Sequence, residues 1–578
     1  MNGSPLRLSP AVGVVAALLA ASPASAAEWH VSPGGSPSGD GSAANPWDLA
    51  TAFAQPVTVQ PGDTIWLHGG TYGDGGNQPF ACELDGTETA PIVVRQFPGE
   101  RATIDGGIAA NGEWTWFWGF SITNHGTQRN VQAEAGSPNA RLGGINMVAR
   151  GQRLINLVIH NTGHPAIGFW RPVGDGGEVY GCLIWGNGIY DPSFPPPGIR
   201  GNGTYSQNQD GWRTIADNIS FRNFTEGLDA SSDGTSWVNG FVFAGNVAFD
   251  NGWANLFTQT RNNPMERLRV LGNFTYRRWT DSRKSSAQFG YYNTIQHVDV
   301  VVRGNHFVMG SDDDRAFFLK HWRDIDVSGN TFVSRSTLAM WDAGTPPGSL
   351  RWDDNDYWYA GDGTPFILGD SVTGDAPATF LDWDGWRAAT GFDAASRYHA
   401  AAPTGVEIYV RRNKYEPERA HVIVYNWDLR SGVDLDATGV LEPGQTYRFV
   451  DAQNYFGAPV AEGTYDGSPI TLPMNLTEVS PILGDVTHYE NLHTAPEFAV
   501  FVLTAGDALV PAADEEDVWN EDGWPPDSSP DASGDVPGGN GGGGCACAVP
   551  GGGGRGGECA WSIALLAATV AARRRRQG

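Results

Sequence analysis

Lysine is almost absent from this chain of 578 residues, which contains only Lys284, Lys320 and Lys414. The formal net charge is −27, and no stretch of the body clusters lysine with arginine. Because clustered cations are needed to hold a polyanion, this composition argues against a nucleic-acid partner. The 12 histidines are scattered without metal-ligand spacing, which argues against a zinc site.

Cysteine is also scarce, and only Cys82 and Cys182 precede the C-terminal tail. Two cysteines cannot form the disulfide framework of a small secreted domain. Either one bridge joins them or both are buried free thiols. We expect free thiols, because Cys182 occupies an inward position of the repeat described below.

Long apolar runs occur only at the two ends of the chain. The run from Ala11 to Ala21, followed by Ala24-Ser25-Ala26, predicts a secretory signal peptide over residues 1–26. We therefore expect an exported protein. A second run, from Ala560 to Ala572, has about 13 residues and is shorter than the ~20 that a membrane-spanning helix needs.

The C-terminal tail joins a glycine-rich spacer, Cys545-Ala546-Cys547, the short apolar run and the cluster Arg573 to Arg576. These parts, in this order, resemble the MYXO-CTERM sorting tail of exported myxobacterial proteins. The resemblance implies that sorting machinery processes the chain near Cys545 or Cys547 and leaves it at the cell surface. The alternative is a weak membrane anchor with positive-inside arginines, which predicts nearly the same location. We assign residues 545–578 to this tail and the acidic, glycine-rich residues 508–544 to a linker.

The body of the chain repeats an apolar strand that runs through an asparagine. The repeat occurs at seven positions, namely Asn156, Asn218, Asn246, Asn273, Asn305, Asn330 and Asn355. From Asn218 onward the intervals are 28, 27, 32, 25 and 25 residues, the period of a β-solenoid coil. Asparagine tolerates the left-handed conformation of a strand turn, and its amide can bond to the asparagine one coil away in a buried ladder. The expected interior residues are Val158, Phe221, Phe249, Phe307 and Phe332.

The start of the body predicts a strand at Trp29 to Val31, a polar turn and a short amphipathic helix around Leu49 to Ala54. Such a helix could cover the open end of the solenoid. These residues, with the Pro61-Gly62-Asp63 turn, resemble the entry coil of right-handed parallel β-helix proteins of the pectin-lyase-like superfamily. We therefore expect an all-β protein, with a right-handed parallel β-helix over residues 27–400.

The last part of the body has a different texture. A short helix around Phe380 to Arg387 is expected to cover the far end of the solenoid. Beyond Thr404 the pattern changes to alternating strands, which predicts a small antiparallel β-sandwich over residues 401–507.

Each coil contains a second apolar strand, and the alternation of side chains along these strands predicts an exposed face. If Ile145, Ile167, Leu228, Leu256, Ala287 and Leu319 point inward, alternation turns their neighbours outward. The predicted outward set is Trp170, Tyr205, Gln207, Asp229, Phe257, Gln259, Gln288, Phe318 and Lys320. Aromatic rings stack on sugar faces and amides bond to hydroxyl groups, so we predict a polysaccharide-binding face.

Catalytic residues are harder to predict. The superfamily resemblance implies either a polysaccharide lyase, which uses a base and sometimes Ca²⁺, or a glycoside hydrolase, which uses paired carboxyl groups. The candidate bases are Lys320, Tyr205 and Lys284, and Asp229 with Asp233 could supply oxygen ligands to Ca²⁺. Neither the carboxylate set of a hydrolase nor the Asp and Arg set of a pectate lyase is matched, so no catalytic residue is transferred from the family.

Two hypotheses follow for the function. The first is an exported, surface-displayed monomer that binds polysaccharide and cleaves it, with a lyase of acidic glycans as the leading enzyme class. The second is a noncatalytic surface protein for adhesion or matrix contact, in which the solenoid is a rigid presenter.

Overall fold

The computed structural model describes residues 26–74, 79–126, 143–163, 165–170, 176–190, 199–232, 234–278, 285–292, 295–310, 315–344, 348–371, 377–484 and 492–510. The predicted signal peptide up to residue 25, the linker beyond residue 510 and the sorting tail with Cys545 and Cys547 lie outside these ranges. Within them, no helix combines the length and apolar character that crossing a membrane requires.

Three sheets of 12 strands each run along the body, and almost every neighbouring pair of strands is parallel. Sheet 1 contains Glu28–Val31, Thr64–Leu67, Ile92–Gln96, Thr115–Trp118, Arg153–Ile155, Gly177–Tyr180, Arg213–Ala216, Asn239–Ala244, Glu266–Leu271, Val298–Arg303, Ile325–Ser328 and Leu350–Asp353. Sheet 2 contains Phe80–Cys82, Ile108–Ala110, Ile145–Met147, Ile167–Phe169, Thr204–Ser206, Leu228–Ser232, Ala254–Thr260, Ser285–Phe289, Arg315–Lys320, Thr337–Asp342, Phe366–Leu368 and, antiparallel to it, Thr379–Leu381. Sheet 3 contains Gly70–Gly73, Ala102–Asp105, Ser121–Thr123, Val158–His160, Leu183–Trp185, Ile219–Phe221, Val247–Phe249, Phe274–Tyr276, His306–Met309, Thr331–Ser334, Asp356–Tyr359 and Arg397–His399. The chain visits the three sheets in turn, which is the architecture of a parallel β-helix.

The predicted asparagine ladder is confirmed from Asn218 to Asn355. Each side-chain amide donates to the amide oxygen of the next asparagine, as between Asn246 and Asn273 at 2.9 Å and between Asn273 and Asn305 at 2.9 Å. Each amide also donates to a backbone carbonyl, and the side chains are buried. The ladder therefore satisfies polar groups that would otherwise be unpaired inside the turn.

The left-handed residue of each turn is not the ladder asparagine, as the sequence predicted, but the residue before it. Asp217 has φ 52°, and Gly245 and Gly272 have φ near 60°. Asn156 has φ 52° and therefore occupies this preceding position. Its side chain bonds to Asn413 of the C-terminal domain at 2.7 Å, so Asn156 is not a member of the ladder.

Both body cysteines are free and buried, as expected. Cys182 occupies the ladder position of its coil, where its backbone N–H donates to the side-chain oxygen of Asn218 at 2.9 Å. Burial raises the pKa of both thiols to about 12, so neither is poised for reaction.

A second asparagine ladder was missed by the sequence analysis. Asn187 donates to Asn223 at 2.8 Å, Asn223 to Asn251 at 3.0 Å, and Asn251 to Asn255 at 3.1 Å. It lies where sheet 3 turns towards sheet 2, and all four side chains are buried. Two of the three turns of these coils thus contain an asparagine ladder.

The interior prediction was right for Phe307 and Phe332, which lie in the solenoid core. It was wrong for Val158, Phe221 and Phe249, which project from the outer face of sheet 3. Phe307 is two residues beyond its ladder asparagine, whereas Phe221 is three residues beyond. A shift of one residue along a strand places the side chain on the opposite face of the sheet. The outer face of sheet 3 is therefore apolar and must be covered.

Both ends of the solenoid are capped by helices. The first spans Leu49–Phe53, with the carboxylate of Asp48 accepting from the backbone of Thr51 at its N-terminus. The second spans Trp383–Thr390 and buries Trp386 in the core. The two predicted covering helices are thus present, although the second begins three residues later than expected.

The C-terminal domain covers the apolar face of sheet 3. It has a five-stranded antiparallel sheet in the order Val406–Arg412, Arg419–Asn426, Phe498–Ala505, Thr446–Asp451 and Ala461–Thr464, a two-stranded sheet of Gly432–Leu435 with Ile470–Pro473, and a 3-10 helix at Ala452–Asn454. One face of the larger sheet packs on the solenoid and the other packs on the two-stranded sheet. Both faces are therefore used structurally.

Stacked rings and hydrogen bonds join the domain to sheet 3. Phe498 stacks on Tyr276 with ring centroids 4.8 Å apart, and the Tyr276 hydroxyl donates to Glu497 at 2.7 Å. Tyr425 donates to the backbone oxygen of Thr275 at 3.0 Å. These contacts bury aromatic side chains from both parts, so the domain and the outer face of sheet 3 share one apolar cluster, separate from the solenoid core.

His421 makes this interface sensitive to acid. Burial lowers its pKa to about 3, and the nearby cations Arg419 and Arg411 act in the same direction, while a hydrogen bond to the backbone of Asp217 opposes them. The unfolded chain then binds a proton more readily than the folded one, so the stabilisation is complete above the ordinary pKa of about 6.5 and is lost as the pH falls.

We therefore expect His421 alone to lower the free energy of unfolding by about 1 kcal/mol when the pH falls from about 7 to about 5.5. Denaturant unfolding at both pH values, compared between the wild type and His421→Phe, measures this contribution. The variant should show a smaller pH dependence. An unchanged pH dependence would mean that His421 is protonated in the folded protein.

Candidate functional site

The outer face of sheet 2 brings the predicted binding residues together. The strand register places one row of side chains in the order Tyr205, Asp229, Phe257, Gln288 and Phe318. Gln259 and Lys320 lie two residues further along their strands, and Trp170 and Gln207 follow the ends of theirs. The residues predicted to point inward are buried in the core. Strand alternation therefore predicted which side of the sheet each of these residues occupies.

Most of this row is not exposed, contrary to the expected display. Trp170, Tyr205 and Gln259 are partly exposed, whereas six others are buried, namely Gln207, Asp229, Phe257, Gln288, Phe318 and Lys320. Phe318 packs with Met340 and Ile367 of the next two strands in a small apolar cluster outside the main core. The accessible surface is consequently divided into separate patches.

The first patch is the pair Trp170 and Tyr205. Their ring centroids lie 5.4 Å apart with the planes inclined at 44°. The indole N–H of Trp170 donates to the side-chain oxygen of Asn146 at 2.9 Å, which fixes the ring. Two partly exposed rings held at fixed angles form a suitable platform for a sugar ring.

The second patch was not found from the sequence. Tyr291 lies beside Phe257 with ring centroids 6.5 Å apart and beside Tyr292 at 5.1 Å. The guanidinium group of Arg261 lies 4.6 Å from the centre of the Tyr292 ring and donates to its hydroxyl at 2.9 Å. Tyr291, Tyr292 and Arg261 follow their strands, so alternation within the strands could not predict them. The only available signal was the adjacent pair of tyrosines.

Asp229, between the two patches, belongs to a buried network. Its carboxylate accepts from the side-chain amide of Asn202 at 2.5 Å and from the hydroxyl of Ser231. Thr225 in turn donates to Asn202 at 2.9 Å. Both carboxylate oxygens are thus bonded to neutral donors, which indicates that Asp229 organises the strand turn.

The predicted Ca²⁺ site is only partly described. Asp233, the second expected ligand, lies outside the described residues, as does the candidate base Lys284. Among the residues that the structure does describe, no group of three or more histidine, cysteine, aspartate or glutamate side chains is arranged to hold a metal ion. The Ca²⁺ site stays a prediction.

Lys320 lies in a buried, charged cluster at the end of its strand. It is fully buried and forms an ion pair with Asp370, which is also buried. Asp342 is its partner in the strand register, and His321 lies 3.3 Å from the carboxylate of Asp342. Burial acts to raise the pKa of Asp342, but the hydrogen bond and charge of His321 outweigh it and hold the pKa below its ordinary value.

His297 closes the cluster on the side of the preceding coil. Its Nδ1 accepts from the backbone N–H of Met265 at 3.1 Å, and its ring packs against Trp322. Burial, assisted by His321, lowers the pKa of His297 to about 3, so the ring is neutral at physiological pH.

This burial decides what Lys320 can do. A general base must come within hydrogen-bonding distance of the proton that it removes. Lys320 is covered on all sides, so no substrate atom reaches it unless the buried cluster around it opens. Tyr205, the other candidate base among the described residues, is partly exposed.

Comparison with known proteins finds only distant likenesses. No family model and no curated protein matches the sequence. Among solved structures, the pectate lyase Pel9A is similar at 17% identity and a TM-score of 0.37, over 55% of this chain and 81% of that one. A rhamnogalacturonan lyase is similar at 12% identity and 0.40, over 64% and 86%. PfbA, a surface adhesin of Streptococcus pneumoniae, is similar at 12% identity and 0.37, over 55% and 82%. At these values the likenesses carry no argument about this chain.

Its own strand topology defines the chain as an all-β protein, a parallel β-helix with a small antiparallel sheet in its C-terminal region.

Proposed function

We propose that this protein is exported and displayed at the cell surface, where it binds an extended polysaccharide along the outer face of sheet 2. The observation that carries the proposal is the placement of two accessible aromatic patches on this one face. Tyr205 of the first patch lies two coils from the buried Phe257, beside which Tyr291 of the second patch is placed, a separation of about 10 Å at the usual strand spacing. Rings repeated at such intervals suit a ligand that is itself a repeating chain.

The chemistry of the patches supports a sugar ligand. Rings offer flat apolar faces, and the guanidinium of Arg261 offers donors at the edge of the second patch. The −27 net charge of the chain places no restriction on a neutral glycan, and Arg261 provides a local contact for an acidic one. Export and display rest on the signal peptide and the tail predicted from the sequence.

Cleavage is the second part of the hypothesis, and binding without cleavage is the alternative. The buried Lys320 favours the alternative, because an enclosed ammonium group cannot remove a proton from a bound sugar. Elimination on an acidic glycan would require Tyr205, a side chain outside the described ranges, or opening of the corner around Lys320. Incubation with polygalacturonate and alginate, with and without Ca²⁺, separates the two. Absorbance from an unsaturated product indicates a lyase, and binding without that signal indicates a noncatalytic protein.

The binding proposal predicts the effect of removing the first patch. Trp170→Ala and Tyr205→Ala should each weaken binding of polygalacturonate or alginate by about tenfold, because each loses one stacking surface. Titration calorimetry or affinity electrophoresis measures the change.

The matched control is Trp212→Ala. Trp212 is 38% exposed but packs against Arg267 and Arg269 of sheet 1, away from the proposed face. This variant should bind like the wild type. Equal loss of binding in Trp212→Ala and Tyr205→Ala would contradict the proposed face.

A further inference from the structure

The far end of sheet 2 contains a cavity of about 650 Å³, open to solvent, that lies beyond the two aromatic patches. Its lining comes from three segments, residues 335–337, residues 359–364 and Phe380. The first two are successive turns between sheet 3 and sheet 2, and Phe380 is on the last strand of sheet 2. The volume is large enough for one sugar ring, and because the cavity is open to solvent it would cover such a ring on one side only.

Phe380 continues the outward row of sheet 2. In the register, Phe318 lies opposite Met340, Met340 opposite Ile367, and Ile367 opposite Phe380. The first three side chains cover one another, whereas Phe380 ends the row and is 58% exposed. Phe380 therefore presents a flat apolar surface at the rim of the cavity.

The rest of the lining is polar and of mixed charge. Arg335 and Asp362 are exposed and supply a cation and an anion, and Ser336, Thr337 and Thr364 supply hydroxyl groups. The turn itself is fixed, because the hydroxyl of Tyr359 accepts from the backbone N–H of Gly363 at 2.9 Å. The cavity thus combines one flat apolar surface with donors and acceptors around it.

We propose that this cavity is a separate binding site for one hexopyranose unit, at the end of or branching from the polysaccharide held on sheet 2. The ring stacks on Phe380 while its hydroxyl groups bond to Asp362 and to the hydroxyls of the two turns. Arg335 pairs with a carboxylate substituent of the sugar. The inference deepens the proposed function and rests on it.

Short ligands test the site separately from the long face. We expect Phe380→Ala and Arg335→Ala each to weaken binding of digalacturonate about fivefold to tenfold, measured by titration calorimetry or by saturation-transfer NMR on the full chain. Galactobiose, the neutral counterpart, should bind the wild type more weakly than digalacturonate does. The two ligands should bind Arg335→Ala with equal affinity. Leu429→Ala, which removes another exposed apolar side chain from the C-terminal domain, is the control and should change nothing.

The outcomes distinguish the two proposals. Loss of digalacturonate binding in Phe380→Ala but not in Tyr205→Ala supports the separate site. The separate site is overturned if Phe380→Ala binds digalacturonate like the wild type, or if the wild type does not bind digalacturonate. The proposed function stands in that case if Tyr205→Ala still weakens polymer binding. If neither variant affects polymer binding, the proposed function itself fails and this inference fails with it.

Discussion

Replacing Asn273 by leucine is expected to lower the free energy of unfolding by about 5 kcal/mol, although the two side chains have similar sizes. The amide of Asn273 donates to Phe243 at 2.8 Å and to Asn305 at 2.9 Å, and its oxygen accepts twice from Asn246. Leucine removes all four hydrogen bonds. It also leaves the backbone N–H of Asn246 and the carbonyl of Phe243 without these partners in a buried turn, where each costs about 1–3 kcal/mol.

Cys182 provides the matched control, because it occupies the same position in an earlier coil. Its backbone already donates to Asn218, and its sulfur lies 3.7 Å from the carbonyl of Leu154, where a ladder amide would donate. Cys182→Asn should therefore extend the ladder by one coil and leave stability unchanged or raise it by about 1 kcal/mol.

Denaturant unfolding of both variants, with hydrogen exchange to locate the weakened coils, tests the pair. Fast exchange in Asn273→Leu should be confined at first to the turns around Asn246 and Asn305, since each coil contacts only its neighbours. A loss below about 1 kcal/mol in Asn273→Leu would show that the ladder follows from the coil geometry without stabilising it.

The fold could be predicted from the sequence to an unusual extent because the signal is repeated. The Asn218 to Asn355 spacing predicted the coil length, and alternation predicted the inward side of sheet 2. The second ladder had a signal of the same kind, since Asn187, Asn223 and Asn251 each lie five residues after a position of the first ladder. What failed was the face of sheet 3, because a one-residue difference in strand start reverses every side chain and leaves the apolar composition unchanged.

The candidate site was less predictable because its exposure depends on partners that are distant in the sequence. Alternation places the Lys320 side chain on the outer face, but Asp370, 50 residues later, pairs with it and both side chains are buried. Tyr291 and Phe380 were missed for different reasons. Tyr291 lies in a turn, outside the strands to which the period-two rule was applied. Phe380 was assigned to the covering helix expected around Phe380 to Arg387, whereas it lies on the strand before that helix.

Removing the C-terminal domain is expected to have the largest effect of all. The face that it covers includes Phe221 and Phe249, which stack on each other, and Tyr276 on the next strand of sheet 3. A chain ending near residue 402 would expose this row of aromatic side chains to water over several coils. An apolar patch of this kind leads to association, so the truncated protein should be insoluble or form large aggregates.

The peptide link between the solenoid and the C-terminal domain should, in contrast, be dispensable once folding is complete. A protease site introduced at residues 400–402, where the chain is exposed before the first strand of the domain, allows the folded protein to be cut. The two fragments should stay together as one species in size-exclusion chromatography, because stacked rings and the bond between Tyr276 and Glu497 hold the interface. Phe498→Asp places a charge against Tyr276 and should release the fragments after the same cut. A truncated chain that is monomeric and as stable as the whole protein would instead mean that sheet 3 tolerates water, and the domain would then be free to serve a role other than covering it.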